Sequence, residues 1–272
     1  MIDFILAPFL NLFSGRFYHR VINSSLARGF GYLLYLCVLI SLLITVLFKV
    51  VFVPKADQFL HWLDTQLPKI TLTRTGAIVD APQPFKLIHP QYGTLLITDT
   101  TQEAPPQVLP QVPAYMTKTK LIVRQESQSG SRIYDLVPSA DKVKDWKDVE
   151  ITKELIQQLY KKALPFTYPV VFFGTLAFYF TWKVFAALFY SLAALFFNTF
   201  RKDKLEYPQL LNVSFYVLTP VSILQLITTF LPQIHIPLNF MVSFLITSIY
   251  LVIAILGTPS RVPESQVPPS IV

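Results

Sequence analysis

This chain is short of cysteine and of charge, and both shortages exclude chemistry. Its single cysteine, Cys37, stands inside an apolar run, so no intrachain disulfide is possible. The thiolate ligand sets of zinc and iron–sulfur sites are excluded with it. Charged residues make up only 14% of 272, against about 25% in ordinary globular chains. The nucleophile elbow G-x-S-x-G, the P-loop, H-E-x-x-H and the dinucleotide fingerprint are all missing, so the enzyme classes built on them find no support.

What is present is apolar. Hydrophobic residues reach 53%, and the mean hydropathy is +0.48, values that belong to a membrane protein. The formal net charge of +7 raises the question of nucleic acid. The distribution of charge answers it. Residues 54–164 carry 14 basic and 12 acidic side chains, and the rest of the chain carries 9 and 4. The excess therefore sits beside apolar runs, where it reads as membrane topology, and no nucleic-acid partner is expected.

Residues 1–29 form a basic arm containing Arg16, Arg20 and Arg28. Leu6, Phe9, Leu10 and Phe13 recur at helical spacing, which leaves open an interfacial amphipathic helix or a loosely ordered flank. Residues 30–53 are long enough to cross a bilayer, and VFVPKADQ offers no cleavage site, so the run reads as an uncleaved signal anchor. The three arginines before it place the N-terminus in the cytoplasm.

Residues 54–164 read as one small α+β domain. ADQFLHWLDTQLP patterns as a short amphipathic helix, ITLTR with AIVD as a hairpin, and Thr94 to Thr98 as a strand. A Pro-dense connection follows, then a second hairpin from KLIVR, SQSG and SRIYD, and a closing helix from DVEITKELIQQLYKKAL capped by Thr152. His61 with Asp64 is read as a surface pair rather than a metal site, because a site needs three or four ligands. His89 falls in a loop, and Asp99-Thr100-Thr101 reads as a strand-ending turn.

Residues 165–200 contain no Asp or Glu and only one formal charge, Lys183. A hairpin of two spans would need a turn near Lys183, where there is neither Gly nor Pro, so the run reads as one long helix. The loop 201–208 with Arg201, Lys202 and Lys204 is then cytoplasmic, although Lys161 and Lys162 flank the opposite end of the span. Residues 209–231 form a third span kinked at Pro220, residues 237–256 a fourth, and residues 257–272 a disordered cytoplasmic tail.

The expected fold is thus a polytopic α-helical membrane protein. Four transmembrane helices carry a small α+β extracytoplasmic domain inserted between the first and second. Within the spans, Lys183 is the candidate functional residue, since a lysine at a helix centre costs about 2.5–3.5 kcal/mol to insert. No span holds a carboxylate, so its partners would be hydroxyls or carbonyls near Tyr179, Tyr190, Gln225 or Pro220. The competing reading is that it snorkels to the headgroups. Ser243 and Thr247 form a small polar seam on the last span.

The order of these features resembles one family. FYHRVINSSLARGFGYLLYL, LPKITLTRTGAIVDAPQPF, LLITDT, YMTKTKLIVRQ with SRIYDLV, ITKEL and the Thr219-Pro220 pair are similar to bacterial membrane proteins of domain of unknown function 1189 (DUF1189), in the Yip-like superfamily. The resemblance implies one span, an extracytoplasmic insert and three further spans, and it brings no catalytic residues or cofactors. The function expected is a non-enzymatic integral membrane scaffold or accessory subunit of the bacterial cytoplasmic membrane. Its partners would be the bilayer and membrane or envelope proteins, or a second copy of itself. The alternative is a transporter or lipid-handling protein using Lys183 and the Pro220 kink.

Overall fold

The fold is that of a computed structural model, which describes residues 7–8, 15–103, 106, 111–124, 131–137, 148–231, 233 and 239–257. Leu6, Phe9, Leu10 and Phe13, the SQSG turn, most of the Pro-dense connection, the link before Asn239 and residues 258–272 lie outside the described residues. In chain order the helices are α1 (Gly15–Ile22), α2 (Leu26–Leu47), α3 (Val53–Gln66), α4 (Lys153–Asn198), α5 (Tyr207–Val217), α6 (Thr219–Phe230) and α7 (Phe240–Leu256). A π-helical turn, Phe48–Phe52, joins α2 to α3 without a break. Two compact units divide the chain, Met1–Val50 with Thr167–Val272, and Val51–Phe166.

The first unit is helical and is built around α5. Leu210, Asn212, Val213, Ser214, Phe215, Tyr216 and Val217 are all buried there, so almost every face of this short helix has a neighbour. It touches α1, α2 and α7. Gly29 of α2 makes the approach possible, because a Cβ there would fall 1.8 Å from Asn212 Oδ1. The Asn212 amide donates to the carbonyls of Val21 and Ser24 and to the Ser24 hydroxyl, which binds the α1–α2 corner to α5. Tyr32 stacks on Tyr216 at 4.1 Å, and its hydroxyl meets Thr219 at 2.8 Å. Buried polar groups joined in this way fix a single helix arrangement where apolar contact alone would not.

Among the described residues four crossing helices are not found. Three helices are long and apolar enough to cross a membrane: Leu26–Gln66, Lys153–Asn198 and Tyr207–Phe230. The last apolar helix begins only at Phe240, where the Asn239 side chain caps the Val242 N–H at 2.9 Å. Its 17 residues rise about 25 Å, short of a hydrocarbon core of about 30 Å. The four-helix reading is therefore corrected to three candidate spans and one shorter helix. The spans also start elsewhere. The first continues through the π turn to Gln66, and α4 begins at Lys153 because the chain stays helical through Pro165 and Pro169.

The second unit has more strand than one small sheet. A three-stranded antiparallel sheet has the order β2 (Gly76–Val79), β1 (Ile70–Thr73), β8 (Val149–Ile151). A five-stranded mixed sheet runs β3 (Phe85–His89), β4 (Gly93–Asp99), β5 (Ala114–Thr117), β6 (Lys120–Arg124), β7 (Ser131–Asp135). β4 and β5 are parallel, and the other neighbours are antiparallel. Gly76 joins the two sheets. Its φ of +134° suits only glycine, its neighbour Ala77 donates to the Lys118 carbonyl at 2.7 Å, and a Cβ would lie 2.5 Å from that oxygen. Leu67, Ile70, Ala77, Val79 and Met116 form the buried core.

Candidate functional site

The helical unit sets Lys183 on its inner side. The buried residues of α4 are Lys183, Ala187, Tyr190, Ser191, Ala194 and Asn198, recurring every three or four positions as one helix face. Small Ala and Ser side chains let neighbouring helices approach this face, and Lys183 continues it. Only 4% of Lys183 is exposed. Among the described residues its ammonium makes no ion pair or hydrogen bond, and its electrostatic neighbour is the Cys37 thiol of α2.

A cleft of about 400 Å³ opens beside it, between α4, α6 and α7. Lys183, Gln225, Ser243 and Thr247 supply its polar lining, and Trp182 and Phe185 part of its apolar lining. Thr247 is 1% exposed, donates to the Ser243 carbonyl at 2.8 Å and shares a side-chain hydrogen bond with Tyr190. Tyr190 also stacks on Phe244 with ring centroids 6.0 Å apart, tying α4 to α7. The size falls within the range of about 300–1,000 Å³ typical of small-molecule sites.

Lys183 and Gln225 thus meet in one cleft, while Pro220 is buried a turn away, between the cleft-lining Leu218 and Val221. Pro220 does more than kink a helix. α5 ends at Val217 and a new helix starts at Thr219, with Pro220 in its first turn. The Tyr216 carbonyl, which a non-proline residue at 220 would have bonded, instead meets the Leu218 N–H.

The basic residues stand apart from the cleft. Arg16 lies on α1, while Arg20 and Arg28 are exposed before or at the start of α2. Lys202 and Lys204 are exposed in the loop after α4. Arg201 has a second role, because its guanidinium donates to the carbonyls of Ile255 and Asp203. It satisfies a carbonyl at the C-terminal end of α7, where a positive charge is favourable. The Asn198 amide pairs with both backbone groups of Leu205, at 2.9 and 3.0 Å, and closes the same loop. Asn198 and Asn212 were legible only as polar residues inside apolar runs, and Cys37 gave no sign that it would lie beside Lys183.

In the sheet unit Asp64, His89 and Asp99 have structural partners. Asp64 accepts from Gln157. His89 ends strand β3 rather than lying in a loop, and its Nδ1 accepts from the Gln91 and Tyr92 N–H groups at 3.1 and 3.4 Å. Its ring sits among Phe59, Trp62 and Tyr92, with the Trp62 centroid 4.5 Å away. Asp99 accepts from the Thr101 N–H and hydroxyl, the geometry of an Asx turn. Among the described residues no three His, Cys, Asp or Glu are grouped to hold a metal.

Three helices among the described residues that are long and apolar enough to cross a membrane, in a chain of two compact units, define a membrane-associated protein. The chain belongs to the family described as protein of unknown function (DUF1189), whose family model matches residues 9–255. No curated protein and no solved structure matches it.

Proposed function

We propose that the protein is a multi-pass scaffold or accessory subunit of a bacterial cytoplasmic membrane, and that it is not an enzyme. The observation that supports this reading is strand β7. It is the last strand of the five-stranded sheet among the described residues, and all five of its residues are exposed. Ile133 and Tyr134, at 54% and 48% exposure, give it an apolar grip, and an open sheet edge can accept a strand from another chain. The partner is an envelope or membrane protein, or a second copy of this chain.

In the proposed topology the N-terminus and the Arg201–Lys204 loop are cytoplasmic and the sheet unit is extracytoplasmic. The hydrogen bond from Arg201 to Ile255 ties the end of α7 to that loop. A photo-crosslinking side chain at position 134 tests the scaffold reading in native membranes. A single discrete protein adduct is expected, and the uncrosslinked chain alone would contradict it. The second reading, lipid handling, is favoured by the cleft beside Lys183.

A further inference from the structure

Lys183 is a cation that the fold buries with no counter-charge among the described residues. A buried, unpaired ammonium is expensive, and proteins retain one where something anionic completes it. Among the described residues no such group stands beside it, and residues 26–56, 165–200 and 207–256 contain no Asp or Glu. Gln225 stands in the same position. Among the described residues its side-chain amide has no partner, although it lines the cleft beside Lys183.

The depth of the site narrows the choice of anion, given the multi-pass reading above. Lys183 lies 15 positions before Asn198, the last residue of α4, and so about 22 Å up an ideal helix from the Arg201–Lys204 loop. In a hydrocarbon core of about 30 Å this is about 8 Å below the opposite surface, well away from the bilayer midplane. Side chains on a helix lean towards its N-terminus, which carries the ammonium further towards that surface. Phe240, in the first turn of α7, lines the same cleft, so the cleft stands at the end of α7 remote from Arg201.

The walls indicate where a ligand enters. Trp182, Phe185 and Phe240 are 62%, 66% and 72% exposed, so the apolar lip faces outwards, whereas Lys183 and Thr247 at the floor are 4% and 1% exposed. A polar floor behind an apolar lip fits a molecule with an anionic head and a hydrocarbon tail that arrives from the bilayer.

We propose that the cleft binds one anionic phospholipid from the leaflet opposite the Arg201–Lys204 loop. Its phosphate is held by Lys183, with the Gln225 amide and the Ser243 hydroxyl donating to its oxygens. Its upper acyl carbons lie against Trp182 and Phe185. The lysine provides charge and the two neutral donors provide orientation, a division common at phosphate sites. The carboxylate of a partner protein is the competing occupant, and it would need no hydrocarbon lip.

The test is native mass spectrometry of the full chain, released in mild detergent from vesicles of equal phosphatidylglycerol and phosphatidylcholine. Wild type should retain phosphatidylglycerol about tenfold over phosphatidylcholine, because the choline cation offsets the phosphate charge that meets Lys183, a difference of about one charge-assisted contact. Lys183→Met should bring the ratio to near unity, and Lys183→Arg should keep most of it. Ser243→Trp, which fills the cleft and leaves the lysine in place, should also abolish retention. Lys183→Met removes a buried charge while keeping a chain of similar length, so the fold should survive. Wild-type preference persisting in both Lys183→Met and Ser243→Trp would overturn the proposal. So would a protein adduct, in place of a lipid adduct, from a crosslinker at position 182. If wild type shows no preference while cysteine labelling still places residues 134 and 202 on opposite sides, the lipid site alone falls and the multi-pass reading stands.

Discussion

The two units hold themselves together in different ways. The helical unit buries polar side chains and exposes aromatic ones. Asn212, Ser214, Thr219 and Ser222 are 0–1% exposed, while Phe178, Trp182, Phe185 and Phe196 are 62–66% exposed. The sheet unit buries Leu67, Ile70, Ala77, Val79 and Met116 and carries charge outside, including the exposed Lys69–Glu150 pair at 2.9 Å. This contrast is the one expected between a unit packed against lipid and a unit in water. In water, apolar burial drives folding. Against lipid an outward phenylalanine costs nothing, and packing with interhelical hydrogen bonds must specify the structure. The exposed aromatic surface therefore supports membrane association independently of helix length.

Substitutions of glycine should separate the two regimes most sharply. Gly76→Ala places a Cβ 2.5 Å from the Lys118 carbonyl at a φ of +134°, so backbone must move in both sheets. The strain is on the order of 3 kcal/mol or more, and hydrogen exchange of the full chain should accelerate in the sheet unit, with helices α5 and α7 unchanged. Gly29→Ala should act only on the helical unit. Its Cβ displaces the Asn212 amide, which costs about 1–3 kcal/mol of lost and unsatisfied hydrogen bonds. Gly31→Ala is the internal control, since nothing lies within 4 Å of the added carbon, and it should leave exchange in α5 at the wild-type level. If both helical glycines behave alike, close packing at Asn212 is not what organises this unit.

A smaller effect is expected from Thr152→Ala. The Thr152 side chain accepts from the Leu155 N–H at 3.3 Å at the start of α4, and its loss should cost about 1 kcal/mol. Exchange should rise only in the first turn of α4. The Glu154 carboxyl lies below its ordinary value because of its own backbone N–H and the Thr152 hydroxyl, so this cap should weaken as pH falls through the carboxylate range. Least of all should change in Lys69→Met, because an exposed pair contributes about 1 kcal/mol or less.

Local signals were legible in the sequence and pairings between distant segments were not. Alternation and turn residues marked ITLT with GAIV and KLIVR with SRIYD, and those strands are neighbours. β3 was missed because FKLIH lies between Pro84 and Pro90 and resembles a loop. The parallel pairing of β4 with β5 and the entry of β8 beside β1 depend on contacts far apart in the chain, so no local pattern reveals a second sheet. Proline misled in a similar way. Pro165 reads as a helix start, yet α4 passes through it, and Pro237 reads as a start that Asn239 provides.

At the candidate site, composition picked out Lys183 and Gln225, but not that they would share a cleft. The face formed by Ala187, Ser191, Ala194 and Asn198 was there to be read, spaced three and four residues from one another and from Lys183. It shows that the lysine points towards neighbouring helices rather than towards lipid. What no single-chain pattern supplies is which helix stands opposite, and so the partnership with α6 and α7 came only from the fold.

The topology proposed above puts the sheet unit and the Arg201–Lys204 loop on opposite sides of a membrane. Single cysteines answer this most directly, with Tyr134→Cys and Lys202→Cys placed in a Cys37→Ser background and labelled by an impermeant maleimide on spheroplasts. Position 134 should label on intact spheroplasts and position 202 only after they are permeabilised, because α4 lies between them in the chain. Labelling of both positions from the same side would contradict the account.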